Sequence, residues 1–408
     1  MRRTPQLVFL SLAIALFAGT AAADLKIGYI DPLSGGAASA GVNSQKHVQF
    51  FIDKINAAGG LNGEKLELLS YDNKVNPQES LIMLKKAIDE GARIIFQGNG
   101  SAVAHAITDA VLKNNERNPG KEVLFFNYAA IDPALTNEKC HFWHFRFDAD
   151  VDMKMSALTD AIAKDPKIKK VYLINQDYSF GKAVSAAAKT MLAAKRPDIQ
   201  VVGDELHPLQ KVQDFSPYVA KIKASGADTV ITGNWSNDML LLFKAGKDAG
   251  LKVNYFTYYG GGLGSVPAIG PDGVGYLKQV TEYHNNILSP LDPDEIAFHK
   301  RYTDKADEFN YWRLKNTFAL LVAAANKAKS NDPVKLARAL EGMKLDTALG
   351  PMEMRADNHQ LLEPLFVSTL SDKVKNGIEG TSLGFVTERK IDAKDTALPT
   401  TCKMQRPS

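Results

Sequence analysis

The sequence predicts an α/β protein of two lobes, each built on a mostly parallel sheet covered by helices. Three observations carry this reading. Short apolar runs such as Ile94-Ile95-Phe96 and Thr229-Val230-Ile231 alternate with longer amphipathic stretches, the pattern of strands buried on both faces. The alternation begins at Leu25 and restarts at Lys170. A chain of 408 residues also exceeds what a single hydrophobic core usually holds.

Residues 1–23 stand apart from the fold. Arg2-Arg3 is followed by an apolar stretch over 7–18, broken only by Ser11, and by Ala21-Ala22-Ala23 before Asp24. This is the layout of a secretory signal peptide, and the apolar part is shorter than the roughly 20 residues that span a bilayer. Cleavage is expected after Ala23, releasing the protein into the periplasm. No later stretch is long and apolar enough to cross a membrane.

In the first series, residues 25–30 read as a strand, followed by the loop D31-P-L-S-G-G and a helix through His47, Phe50, Phe51 and Ile55. Residues 65–71 alternate as a strand, and 77–90 have helical periodicity up to Gly91. The strand at 94–96 enters the loop G98-N-G-S101, and a helix is expected from about Ala102. Residues 123–126 form the next apolar run. In the second series, strands are expected at 170–174, 201–205, 229–231 and 253–257, and helices at 215–225 and 239–249, with an Ala-rich helix after N175-Q-D-Y-S-F-G181. Two further helices, 295–309 and 311–330, have no strand between them, and strand character resumes at 366–370.

Charge and composition exclude several function classes. The 49 basic residues are matched by 46 acidic ones, with no long basic run, so no nucleic-acid partner is expected. With 45% hydrophobic and 23% charged residues, the chain is neither disordered nor a disulfide-dense scaffold. Cys140 and Cys402 are the only cysteines. In an oxidising compartment they are expected to pair, tying the C-terminal tail to the middle of the chain; two free thiols are the alternative.

Candidate chemical motifs fall short one by one. Cys140, His141 and His144 lack a second cluster to complete a zinc site. Asp148, Asp150 and Asp152 start like a calcium loop, but Met153 stands where glycine is needed and Thr159 where an acid is needed. G260-G-G-L-G264 fits neither a dinucleotide nor a Walker pattern. Ser101, His105 and Asp109 share one helix face, which makes a secreted serine hydrolase the rival reading; consecutive turns of one helix give poor triad geometry, and no nucleophile elbow is present. No metal, no cofactor and no enzymatic activity are expected.

In open α/β sheets ligands bind beyond the carboxyl ends of the strands. The loops at Ser101, Ala129, Tyr178, Trp235 and Tyr259 each follow an apolar strand, so residues of both lobes would face one cleft.

The opening LKIGYIDPLSG, the segment I55-N-A-A-G-G-L-N-G63 and L66-E-L-L-S-Y-D-N-K-V-N-P-Q-E-S80 resemble the branched-chain amino acid binding proteins. A129-A-I-D-P-A-L-T136, F145-R146, D177-Y-S-F-G181 and D214-F-S-P-Y218 extend the likeness along the chain. These are type I periplasmic binding proteins, which serve ATP-driven importers. The resemblance implies two Rossmann-like lobes joined by a three-strand hinge. The first lobe would comprise 24–146 and 283–350, and the second 147–282 and 351–408 with the tail, with crossings near Arg146, Glu282 and Gly350. It implies a monomer that closes over a small carboxylate ligand and delivers it to a membrane permease.

Carried over residue by residue, Ser101 and nearby backbone amides would hold the ligand carboxylate, with the backbone of Ala129 and Ile131 as a second pair of contacts. Phe180 takes the place of a tyrosine that covers the ligand, with Tyr178 beside it, and either Asn234 or Trp235 that of another. Two departures bear on the ligand. Tyr259 stands where amino-acid binders carry the acid that pairs with the ligand ammonium, and Ala40 stands where an aromatic residue is expected. Losing the carboxylate disfavours α-amino acids, because an unpaired buried ammonium is costly. Tyr128, Tyr178, Trp235, Tyr258 and Tyr259 offer a wall for a flat apolar body, with about half expected to face the cleft, since pockets and cores use the same residue types. The expected ligand is thus an aromatic or hydrophobic organic acid: benzoate-like, phenylpropanoid or 2-oxo acid. A branched-chain or aromatic amino acid is the alternative, and a ligand sensor of the same fold a third reading.

Overall fold

The computed structural model describes residues 24–407; the expected signal peptide and its cleavage site lie outside them at their N-terminal side. The first lobe opens with β1 (Leu25–Asp31), α1 (Ala38–Ala57), β2 (Leu66–Asp72), α2 (Pro77–Asp89), β3 (Ile94–Gln97), α3 (Ser101–Arg117), β4 (Leu124–Asn127) and β5 (His144–Arg146). These strands form a five-stranded sheet in the order β2-β1-β3-β4-β5, parallel throughout. Ile27, Ile94, Ile95, Phe125 and Phe126 are fully buried in it, which is why these strands read as continuous apolar runs.

The second lobe follows with α4 (Val151–Ala163), β6 (Lys170–Gln176), α5 (Ser179–Lys195), β7 (Gln200–His207), α6 (Ser216–Ser225), β8 (Thr229–Thr232), α7 (Asn237–Asp248), β9 (Asn254–Thr257), α8 (Ser265–Ile269) and β10 (Leu277–Thr281). Its strands bury alternate side chains on two faces. Leu173, Ile231 and Phe256 join one core, while Tyr172, Val230 and Tyr255 join the other, as the two-residue strand period requires.

The chain then returns to the first lobe through α9 (Pro293–Arg301), α10 (Trp312–Ala328) and α11 (Pro333–Leu340), where Phe298, Phe318 and Leu336 enter the first core. The helix expected over 295–309 ends at Arg301, and 302–311 is a loop with a turn whose Asp304 side chain accepts from the Ala306 amide at 3.0 Å. A small antiparallel sheet of β11 (Lys344–Thr347), β12 (Gly350–Met354) and β13 (Leu361–Leu362) comes next. Finally β14 (Leu365–Ser371) and β15 (Gly384–Ile391) add antiparallel strands beside β10, giving the order β15-β14-β10-β9-β8-β6-β7.

The boundary expected at Gly350 is corrected by this arrangement. Met352, Met354 and Leu361 pack in the first lobe's core, and Leu362 and Leu365 are the first residues of this stretch in the second. Gly350 and Pro351 open β12, and the turn at Ala348-Leu349 joins it to β11 within one sheet, so the chain does not cross there. The tail also ends on the first lobe: Leu398 packs on the second core, but Met404 packs on the first. Cys402 is disulfide-bonded to Cys140, with 5.7 Å between Cα atoms.

Candidate ligand-binding cleft

The carboxyl ends of the two sheets face each other across a cleft. Its walls are the loops after β3, β4, β6, β8, β9 and β10, together with residues 308–313. The lobes meet at its rim, where the Ser39 and Ser236 hydroxyls lie 3.1 Å apart and Ser236 donates to the Gly36 carbonyl at 3.1 Å.

Ser101, Ala129, Ile131, Tyr178, Phe180, Trp235 and Tyr259 all line the cleft. Asn234 does not. It is fully buried, and its Oδ1 pairs with His207 Nε2 at 3.0 Å inside the second lobe. Of the five aromatics considered for the wall, four line it. Tyr128 is the exception: its hydroxyl donates to Asp31 Oδ2 at 2.5 Å inside the first lobe.

The floor at Ser101 is built by backbone geometry. Gly100 adopts φ 99° at the N-cap of α3, a conformation that side chains resist, and the turn places Ser101 at the first helical position. The first amides of α3 have no partner within the helix. Ser101 Oγ accepts from the Asp132 amide at 3.3 Å, which leaves its own proton free to donate. Ile131 turns its carbonyl to the Val151 amide at 3.0 Å. The Ala129 amide donates to Asn127 Oδ1 at 3.3 Å, which leaves its carbonyl for the cleft.

Several uncapped helix N-termini point at the cleft, while α6 and α8 are uncapped as well and α6 lies away from it. Helices α2, α4, α9 and α11 have side-chain caps from Asn76, Asp150, Asp292 and Asp332. Helices α1, α3, α5, α7 and α10 have no side-chain cap, and each places a first-turn or N-cap residue at the cleft: Ala40, Ser101, Tyr178, Ser236 and Tyr311. Uncapped N-termini present free N–H groups and positive dipole ends, which favour an anion.

The second lobe supplies an aromatic wall. Trp235 Nε1 donates to the Tyr178 hydroxyl at 2.9 Å. Phe180 lies 5.8 Å from Tyr178 and 6.1 Å from Tyr259 between ring centroids. Burial drives the Tyr259 phenol well above its ordinary range, so it is neutral. The Lys154 ammonium sits 5.2 Å from its ring centroid.

Sequence reasoning missed the cleft residues of 282–313, among them Tyr283, Glu308 and Arg313. Arg313 is flanked on α10 by the buried Trp312 and Leu314, and a charge amid buried apolar neighbours was the signal available. The motifs set aside have other roles. His105 pairs with Asp132 at 2.9 Å, not with Asp109, which is exposed. Burial raises the Asp132 carboxyl, but the His105 hydrogen bond and the Ala134 amide outweigh it and hold it below its ordinary value. Asp150 caps α4 and pairs with Arg146 at 3.0 Å. Cys140 is committed to its disulfide, while His141 bonds the Thr108 carbonyl at 3.0 Å.

Comparison with known proteins agrees with this architecture. A Leu/Ile/Val-binding protein homolog 4 from Brucella abortus is 37% identical, over 97% of this chain and 96% of its own. The closed conformation of a leucine-, isoleucine-, valine-, threonine- and alanine-binding protein from Brucella ovis superposes with a TM-score of 0.81 at 36% identity, covering 94% of this chain and 100% of that one. A Rhodopseudomonas palustris solute-binding protein in complex with 3,4-dihydroxybenzoic acid has a TM-score of 0.76 over 91% of this chain and 98% of its own, at 20% identity that shows the fold alone. The periplasmic binding protein model matches residues 24–376. Two Rossmann-like lobes, a cleft at the strand ends and near full-length likeness together place this chain in the periplasmic binding protein family, as a type I solute-binding protein of an ABC transporter.

Proposed function

We propose that this protein is an exported, monomeric receptor that captures a small carboxylic acid lacking an α-ammonium group and hands it to an ABC permease. The ligand class is an aromatic or hydrophobic organic acid. One observation carries this reading: an anion seat at the uncapped N-terminus of α3 faces a neutral Tyr259 backed by the Lys154 ammonium. Ser101 and the α3 amides would receive the carboxylate. Ile131 adds no side-chain acceptor, and the Ala129 carbonyl alone is a weak partner for an ammonium, which is costly to bury unpaired. Tyr178, Phe180, Trp235 and Tyr259 would enclose the apolar body. The role is binding and release without turnover, with lobe closure about the hinge as the working motion.

A second reading is a branched-chain amino acid, favoured by the names of the two Brucella relatives. In that case Glu308, which lines the cleft, is the carboxylate available to an ammonium. Burial raises its pKa, which weakens it for that task.

A thermal-shift panel separates the two. Benzoates, phenylpropanoid acids and 2-oxo acids are compared with leucine, isoleucine, valine and phenylalanine. A ligand at 100 times its Kd stabilises the folded form by about 2.7 kcal/mol, a readable shift. Shifts with the organic acids alone support the proposal. Shifts with the amino acids alone overturn the ligand class.

A further inference from the structure

Behind the cleft lies a buried ionic cluster drawn from all three crossings between the lobes. Asp148 follows β5, Glu282 follows β10 and Glu363 follows β13, while Lys154 reaches in from α4 and Arg313 from α10. Arg313 Nε donates to Glu282 Oε1 at 2.7 Å and Nη1 donates to Asp148. Lys154 Nζ lies 2.7 Å from the other Asp148 oxygen. Asn316 donates to Glu363 at 2.7 Å, and burial raises the Glu363 carboxyl well above its ordinary value, with Glu282 and Asp148 adding to the rise. Both cations are held by carboxylates: Arg313 by Glu282 and Asp148, and Lys154 by Asp148.

Arg313 is the member that reaches the cleft. Two of its three nitrogens are fixed from behind, and among the described residues Nη2 has no hydrogen-bond partner. A planar guanidinium clamped on two sides is a pre-organised donor. We propose that Arg313 Nη2 is the second polar recognition point of the cleft, and that the ligand is an acid with a neutral oxygen acceptor, a hydroxyl or keto group, remote from its carboxylate. The proposal rests on the organic-acid reading above. A second carboxylate fits less well, because Asp148 and Glu282 already balance both cations. Arg313 is thus a specificity residue: Ser101 would hold the group common to all acids, and Arg313 would separate oxygenated acids from plain ones.

Calorimetry with matched probes tests this. The pairs are 4-hydroxyphenylacetate with phenylacetate and 5-oxohexanoate with hexanoate, with leucine as the outside control. In the wild-type protein the oxygenated member of a bound pair is expected to bind about tenfold tighter, the worth of one charge-assisted hydrogen bond. In Arg313→Lys, which keeps the charge but loses the fork, that ratio should fall below about threefold, whatever the change in the plain acid's own affinity. A purely structural role would weaken both members alike and leave the ratio unchanged, which overturns the proposal. A wild-type ratio near one overturns it as well, while acid binding leaves the receptor reading intact. If leucine binds and none of the acids does, the organic-acid reading falls and this inference with it. Should Arg313→Lys fail to fold, a crystal structure of the wild-type protein with the tighter probe decides. An oxygen of the remote group within about 3.2 Å of Nη2 supports the assignment, and its placement elsewhere refutes it.

Discussion

The Trp235 indole donates to the Tyr178 hydroxyl at 2.9 Å, so two rings from the loops after the neighbouring strands β6 and β8 of the second lobe are locked into one wall. The bond fixes the ring orientations before a ligand arrives, which reduces the ordering cost of binding. The chain has three tryptophans, and Trp143 and Trp312 are buried in the first lobe's core. Ligand binding should therefore change fluorescence through Trp235. Trp235→Phe is expected to abolish that change and to weaken the ligand by about tenfold, near the worth of one ring contact. An unaltered fluorescence response in the variant places the ligand elsewhere.

Ser101→Ala removes the one hydroxyl at the α3 floor while leaving the helix amides in place. The loss of a hydrogen bond to a charged group should weaken ligand binding by about 1.5–3 kcal/mol. Melting of the ligand-free protein should stay close to wild type. Ester hydrolysis by the wild-type protein that disappears in this variant would revive the serine hydrolase reading.

The cleft residues visible in the sequence share one local signal. Ser101, Tyr178, Trp235 and Tyr259 each come within a few residues of the end of a short apolar strand, and a parallel sheet delivers such loops to one edge. Arg313 and Glu308 reach the cleft only because the chain crosses back after β10, and no local pattern records that return; Tyr283 follows β10 by two residues, but the sequence pattern does not single out that strand. Asn234 and Trp235 are neighbours in one loop, and no periodicity of the sequence tells which of them is held inside the lobe by a partner such as His207. The crossing expected near Gly350 rests on the resemblance alone, and no residue pattern at that point tells a hairpin inside one lobe from a passage between two.

His47 gives a test of pH dependence. Its Nδ1 bonds the Asn43 carbonyl at 2.8 Å, and its ring lies 4.3 Å from Phe298 and 5.1 Å from Phe309. Burial pushes its pKa down to about 3. Between that value and about 6.5 the unfolded chain binds a proton that the folded protein refuses, so stability rises with pH across this window. His47→Phe removes the contribution. Its stability curve from pH 4 to 6.5, read by urea unfolding, should be shallower than wild type by up to about 1.4 kcal/mol per pH unit. Parallel curves would mean that His47 is protonated in the folded protein.

The disulfide between Cys140 and Cys402 fastens the last residues of a chain whose preceding strand, β15, belongs to the other lobe. Around it Thr400 Oγ1 bonds Asn137 Oδ1 at 2.9 Å, and Arg406 Nε bonds Glu341 at 2.7 Å. Glu341 also pairs with His359 at 3.0 Å, and the His359 ring stacks on Phe145 with centroids 3.9 Å apart. The tail thus bears on the segment that links β12 to β13, next to the first crossing. With the cysteines 262 positions apart in sequence, the bond restricts a long loop in the unfolded chain and should contribute about 2–4 kcal/mol. Cys402→Ser is expected to lose that amount in urea unfolding, and reduction of the wild-type protein should lose the same. Mass spectrometry of unfolded, unreduced wild-type protein after thiol labelling should show no label. Two labels per chain would show the thiols free, and full stability in Cys402→Ser would mean that the Thr400, Met404 and Arg406 contacts hold the tail without the bond.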